Sequence, residues 1–372
     1  MSSGKIRVGI VGANPDWGWA ARAHIPALRT LPEFEITAVG TSREASAREA
    51  ARRFGVEHAF ADPRALAAHP DVDLVAVTVK VPHHTELVTA ALKEGKHVLC
   101  EWPLARTTDE ALTLLAHAEE AGVRHWIGLQ ARFAPAVAYA RDLLADGRVG
   151  RVTSVTVYSA LGRGASGALP PQTAYTLDRA NGAGTLEVVG GHTLDVLEHL
   201  LGRVDTVSAM LSLQRSGYMV AGETIEATSP DQVLVTATLT GGAVASGHLH
   251  IAKVTDARTR IEIAGTEGDL ALVSTGPGGP FGVQIAELRL YGTAEPGTWE
   301  ELPVPGRYLR APEAAGGVEA VNVAHLYARL ADDLRTGGTS VPGFEEGVRL
   351  HRLLDAVRAS AETGTPQRVS PG

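Results

Sequence analysis

The feature that most constrains this chain is a regular alternation, through its first third, of short apolar runs with helical segments. Ile6–Val11, Glu35–Gly40, Leu74–Val81, His97–Cys100 and Arg124–Leu129 read as strands. Between them Ala20–Leu31, Ala45–Phe54, Pro63–Ala68, Thr85–Glu94 and Thr108–Ala121 carry apolar residues at helical spacing. Runs this continuously apolar are buried on both faces, which predicts βαβ units and a parallel sheet. After Gln130 the character changes. A helix over Pro135–Asp146 leads into the alternating run Val152–Tyr158, then a Gly/Ala/Pro-rich stretch, Ala160–Gly184, and an amphipathic helix at His192–Leu201. Val204–Leu213, Gln232–Leu239, Ala243–His250, Thr259–Ile263 and Glu287–Leu290 read as strands of an antiparallel sheet. Two helices, Val318–Thr336 and Glu345–Thr363, close the chain.

Composition removes several classes of function. The 372 residues carry 34 Lys+Arg against 42 Asp+Glu, a formal charge of −8, so the basic footprint of a nucleic-acid binder is missing. A lone cysteine, Cys100, excludes an intramolecular disulfide framework and suits a reducing compartment. No apolar run approaches the roughly 18–20 residues of a membrane span, and the start of the chain lacks the apolar stretch of a signal peptide. A soluble cytoplasmic protein with no direct nucleic-acid or membrane partner is expected. Only five basic residues are lysines, at 5, 80, 93, 96 and 253, so chemistry that needs an amine has few places to use.

The first strand runs into Gly12-Ala13-Asn14-Pro15-Asp16-Trp17-Gly18-Trp19 and then a helix. A glycine loop in that position lets backbone approach a pyrophosphate while the helix N-terminus stabilises its charge. Here six positions separate Gly12 from Gly18, a variant spacing, and a plain strand-to-helix turn is the competing reading. The second strand ends at Ser42-Arg43, where an acidic residue would bind the ribose hydroxyls of NAD and an arginine accommodates the 2′-phosphate of NADP. This tilts the cofactor expectation to NADP, with NAD possible.

Five segments together resemble the glucose–fructose oxidoreductase / inositol dehydrogenase / MocA family: His84-Thr85-Glu86-Leu87, Gly95–Ala105, Gly190–Asp195, Gly265–Leu270 and Ser360–Gly364. The resemblance covers nearly the whole chain. It implies an N-terminal Rossmann domain, a doubly wound parallel sheet binding NAD(P), at residues 1–129. It also implies a C-terminal α+β domain at 130–372 with a large, mostly antiparallel open sheet, used for substrate and for assembly as a homodimer or homotetramer. Two departures stand out. The family's Glu-Lys-Pro, whose lysine serves the reacting oxygen, is Glu101-Trp102-Pro103, and the aspartate four residues before the helix-opening histidine is Val188. Trp102, Gly18-Trp19-Ala20 and the Tyr175, Asp178, Asn181-Gly182 set are similar to the branch of the fungal galactose-regulon repressor.

The resemblance, with the strand ends, gives the candidate residues. Gly12, Asn14, Trp17, Gly18, Trp19, Ser42, Arg43, Lys80, Val81, His84, Glu101 and Trp102 form the cofactor set. Trp102, Arg132, Tyr175, His192 and Asp195 form the substrate set. His192, assisted by Asp195, is expected to move the proton, with Lys80 second. Each has a plainer reading: Lys80 as a strand-end lysine reaching water, Trp102 as a plug for the lysine's space, His192 as a packed core histidine. Asp195 either orients the imidazole or binds a hydroxyl, and Arg132 pairs with ligand or protein. No metal site is expected, because the His192, Asp195, His199 stripe lacks further ligands. The reaction expected is hydride transfer between nicotinamide and a carbonyl, alcohol or imine carbon of a sugar-like molecule. The rival is a non-catalytic cofactor and sugar sensor.

Overall fold

The structure, a computed structural model, describes residues 4–275, 282–295, 297–311 and 317–370. Its contacts divide the chain into two compact units, Met1–Gln130 with Arg310–Val348, and Ala131–Leu309 with Arg349–Gly372. The first division lies beside the expected 129/130 boundary. The return of Arg310–Val348 to the first unit has no counterpart in that expectation.

The first unit is a six-stranded parallel sheet of β1 (Ile6–Val11), β2 (Phe34–Gly40), β3 (His58–Phe60), β4 (Leu74–Val77), β5 (His97–Glu101) and β6 (His125–Gly128). Their order is β3-β2-β1-β4-β5-β6, that of a Rossmann fold, in which the order reverses between β1 and β4 and ligands bind beyond the carboxyl ends. All four residues of β4 are buried, because helices cover both faces of the sheet. The expected strand to Val81 stops at Val77: Thr78 gives both its backbone N–H (3.0 Å) and its hydroxyl (2.8 Å) to the Val11 carbonyl. β3 escaped detection because three half-buried residues carry no period-two signal. The expected helix from Ala20 begins with a wide turn, in which the Ile25 N–H reaches back to the Ala20 carbonyl. Pro26, which has no N–H to give, follows directly. Helix Val318–Thr336 packs on this segment and so belongs to the first unit. At the other edge, the Ile127 N–H donates to the Pro342 carbonyl (2.9 Å) and the Phe344 N–H to His125 Nδ1 (3.0 Å), closing the β6 side.

The second unit is built on a nine-stranded sheet. Its members are β7 (Val152–Ala160), β8 (Val204–Ser212), β11 (Gln232–Leu239), β12 (Val244–His250), β13 (Arg258–Gly265), β14 (Asp269–Thr275), β15 (Glu287–Thr293), β16 (Trp299–Glu301) and β17 (Gln367–Arg368). A separate hairpin holds β9 (Gly217–Val220) and β10 (Glu223–Glu226). The order is β16-β15-β14-β13-β7-β12-β11-β8-β17, antiparallel except for the β7–β12 pair. Along β11, Val233, Val235 and Leu239 are buried while Leu234, Thr236 and Thr238 are exposed, so one face is covered. On that face Leu194 and Leu197 line an apolar gap with Val157, Val235 and Leu249. The hairpin, β14, β16 and β17 were missed by periodicity; the hairpin strands have four residues each, and β16 and β17 three and two. Helix Gly191–Leu201 is buried along almost its whole length, from Gly191 through Glu198 and at Leu200, and is not the amphipathic helix expected. Its acidic residues are neutralised from within the unit: Asp195 pairs with Arg132, and Glu198 with Arg349.

Candidate active site

Beyond β1, the N–H groups of Gly12 and Ala13 both donate to the Gly40 carbonyl (2.9 and 3.1 Å), tying the loop to β2. Gly12 has φ +101°, and a Cβ there would stand 2.8 Å from Val79 Cγ1 and 2.9 Å from Thr78 Oγ1; Gly18 has φ +128°. Only glycine meets these conditions. Asn14 spends its side chain inside the loop, its Oδ1 accepting from the N–H groups of Asp16 (3.0 Å) and Trp17 (3.3 Å). Trp17 is 48 % exposed. Trp19 turns its ring edge-on to His24 at 6.4 Å, and its Nε1 is buried without a partner among the described residues. Ser42 and Arg43 are both exposed directly after β2, and no side chain among the described residues holds the Arg43 guanidinium. A loop closed tightly on backbone, beside an uncommitted arginine, fits a dinucleotide phosphate.

Lys80 is half-buried in the extended stretch after β4, and Val81 is buried as it opens the next turn. His84, expected to face the cofactor, is fully buried. Its Nε2 lies 3.1 Å from the Val79 carbonyl, and its Nδ1 lies 2.9 Å from the Pro103 carbonyl and 3.3 Å from Cys100 Sγ. Burial lowers the pKa of His84 and raises that of Cys100, so both are neutral at pH 7. His84 is therefore a strut that sets the Lys80 and Pro103 segments. Trp102, at 5 % exposure, fills space where the family carries an amine.

Glu101 enters a chain that the sequence reading missed. Its Oε1 lies 2.9 Å from His24 Nε2, and His24 Nδ1 lies 2.8 Å from the Tyr327 hydroxyl. Burial and the Glu101 charge push the Tyr327 pKa well up, so the phenol keeps its proton and donates to Nδ1. That fixes the tautomer, with Nε2–H donating to the Glu101 carboxylate. Gly128 makes room, since a Cβ there would lie 2.6 Å from Glu101 Oε1. The available signal was a histidine inside the apolar face formed by Ala20, Ala23, Ile25 and Ala27. Tyr327 lies 303 residues away and gave none.

In the second unit His192 is 2 % exposed, and its Nδ1 is buried with no hydrogen-bond partner among the described residues. Burial lowers its pKa from the ordinary 6.5 to about 3, so the imidazole is neutral. Asp195 is held by Arg132 through Nε (3.0 and 2.9 Å to its two oxygens) and Nη2 (2.5 Å). Arg132 thus has a protein carboxylate inside its own unit, and Asp195 serves that pair. Tyr175 is half-buried, its pKa raised by burial against the pull of nearby Arg163. Val188 lies in the wide helical turn Thr185–Gly190, where Glu187 accepts from the Gly184 N–H (2.9 Å) and pairs with Arg358 (2.8 Å).

A parallel sheet in Rossmann order, followed by a mixed sheet whose covering helix carries a buried histidine, defines a class of dehydrogenase-like proteins, and comparison places the chain within it. The oxidoreductase family model with the NAD-binding Rossmann fold matches residues 6–129, and the Gal80p C-terminal domain model matches 135–274. The 1,5-anhydro-D-fructose reductase of Ensifer adhaerens is 32 % identical over 71 % of this chain and 74 % of its own. Dehydrogenase aclE of Aspergillus oryzae is 36 % identical over 57 % of this chain, a stretch spanning 59 % of that protein's length. The galactose/lactose metabolism regulatory protein GAL80 of Saccharomyces cerevisiae is 28 % identical over 98 % of this chain and 94 % of its own. A crystal structure of a super-repressor mutant of that regulator has a TM-score of 0.87 at 25 % identity, covering 98 % of each chain. The chain belongs to the Gfo/Idh/MocA oxidoreductase family, which has both sugar dehydrogenases and the Gal80 regulator among its members.

Proposed function

We propose that the protein is an NADP-preferring oxidoreductase acting on a sugar-like carbonyl, alcohol or imine. The observation that carries this reading is the pairing of the tight Gly12 loop with the exposed Arg43, whose guanidinium no side chain among the described residues holds. The nicotinamide, when bound, supplies or accepts the hydride. In this reading Gly12, Gly18 and Trp19 hold the phosphate side, Ser42 and Arg43 receive the 2′-phosphate, and Glu101 and Trp102 line the nicotinamide side. His192 acts as a neutral imidazole. With a pKa of about 3 it is a poor general base at pH 7, but its N–H polarises a carbonyl oxygen and orients the substrate. The Lys80 ammonium is then the proton donor, taking the part of the amine absent at Trp102. The protein is further proposed to be cytoplasmic and to assemble as a homodimer or homotetramer through its open sheet.

A specific observation favours a second reading, a non-catalytic cofactor and sugar sensor: Trp102 and Val188 occupy the two positions of proton chemistry, and the second unit matches the Gal80p C-terminal model. A screen of sugars, sugar lactones and imines, following NADPH consumption, separates the two. The enzyme reading expects turnover with at least one compound, and a loss of about 100-fold or more in kcat for Lys80→Met and His192→Asn. Tight NADPH binding with no turnover on any compound supports the sensor.

A further inference from the structure

At the amino-terminal end of the Rossmann sheet, away from the glycine loop, three metal-ligating side chains meet. His58 opens β3, and His69 and Asp71 follow the helix Pro63–Ala68. One ligand atom from each lies within 4.8 Å of the others. His58 Nε2 stands 3.6 Å from Asp71 Oδ2, and the two imidazole rings are 4.1 Å apart. Ligands each about 2.1 Å from a tetrahedral ion stand about 3.4 Å apart, so small side-chain rotations close the set. All three residues are half-buried and reachable from solvent.

The groups behind the cluster orient it. The Asp71 N–H lies 3.2 Å from His69 Nδ1; this bond gives way when Nε2 takes an ion, because the ring's proton then sits on Nδ1. Arg7 Nη1 holds Asp71 Oδ1 (2.8 Å) and so turns Oδ2 toward His58. The Thr37 hydroxyl holds the Asp71 carbonyl (2.6 Å), and Phe60 packs its ring on His69 at 5.6 Å. The Asp71 carboxylate is thus fixed from behind, as ligating carboxylates are, and Phe60 restricts the His69 ring. We propose that His58, His69 and Asp71 form a binding site for one divalent transition ion of the zinc class, with water completing the coordination. Two imidazoles and one carboxylate select borderline ions such as Zn²⁺, Co²⁺ or Ni²⁺ over Mg²⁺ or Ca²⁺. The ion would clamp the edge strand β3 to the segment before β4, a structural role independent of hydride transfer.

The test is equilibrium dialysis and calorimetric titration of the full chain with ZnCl₂ at pH 7.5, with CoCl₂ used for its ligand-field absorption. The expected result is one Zn²⁺ per chain at micromolar affinity, a tetrahedral or five-coordinate Co²⁺ spectrum, and a raised melting temperature. Affinity should fall at least about 10-fold in both His58→Ala and His69→Ala. NADPH binding should be unchanged in those variants. Absence of Zn²⁺ binding to the wild-type chain would overturn the site. So would binding that both substitutions leave intact, which would mean the ion sits elsewhere.

Discussion

His24 in the first unit and His192 in the second are both buried, at 1 % and 2 % exposure, yet their surroundings are opposite. Both ring nitrogens of His24 are used, by Glu101 and Tyr327, and the ring is a strut between β5 and helix Val318–Thr336. His192 Nδ1 is equally buried and has no partner among the described residues. Buried polar atoms are nearly always satisfied, so a group left unsatisfied needs an explanation. At His192 the explanation proposed here is a ligand hydroxyl or carbonyl. Asp195 stands on the other side of this contrast: its carboxylate is gripped by Arg132, whereas the neighbouring imidazole is proposed to meet the substrate.

This contrast can be broken most severely at the ion pair. Arg132→Leu strands a fully buried Asp195 carboxylate and should cost about 3–5 kcal/mol in urea denaturation. A cost under about 1 kcal/mol would show that Asp195 is free to serve a ligand. His24→Ala leaves Glu101 and Tyr327 unpaired and should cost roughly 3 kcal/mol. His192→Asn removes no pairing and should cost less than about 1.5 kcal/mol while depressing turnover. Equal stability losses in these two variants would erase the distinction drawn between the histidines.

The pH dependence sharpens it further. Burial lowers His192 to about 3 and His325 to about 4, from the ordinary 6.5. Below pH 6.5 the unfolded chain therefore binds protons that the native state refuses, so stability is complete above that pH and falls as pH drops toward 3. His192→Asn should flatten the loss of urea midpoint between pH 6.5 and 4. An unchanged slope would mean that His192 titrates normally in the native state.

Much of this architecture was legible because parallel strands covered on both faces leave continuous apolar runs, as at Leu74–Val77 and Val98–Cys100. The glycine loop was legible for a related reason: Gly12 needs both a positive φ and room against Thr78, and those demands leave a mark on the chain. The edge elements were not. β3, β16 and β17 have three residues or fewer, too few for periodicity to show. The His24–Glu101–Tyr327 chain joins three elements across most of the sequence, and no local pattern encodes such a contact. His84 was expected at the cofactor from its position in the family pattern, and its packing against the Val79 and Pro103 carbonyls had no signal in the sequence.

The first unit is proposed to bind a phosphorylated nicotinamide dinucleotide. That binding is tested most directly by titrating the protein with NADPH and, separately, with NADH, following energy transfer from the tryptophans, of which Trp17 and Trp19 lie in the loop. The expected result is micromolar NADPH binding, weaker NADH binding, and a loss of about 10-fold for NADPH alone in Arg43→Ala. Failure of both nucleotides to bind would contradict it.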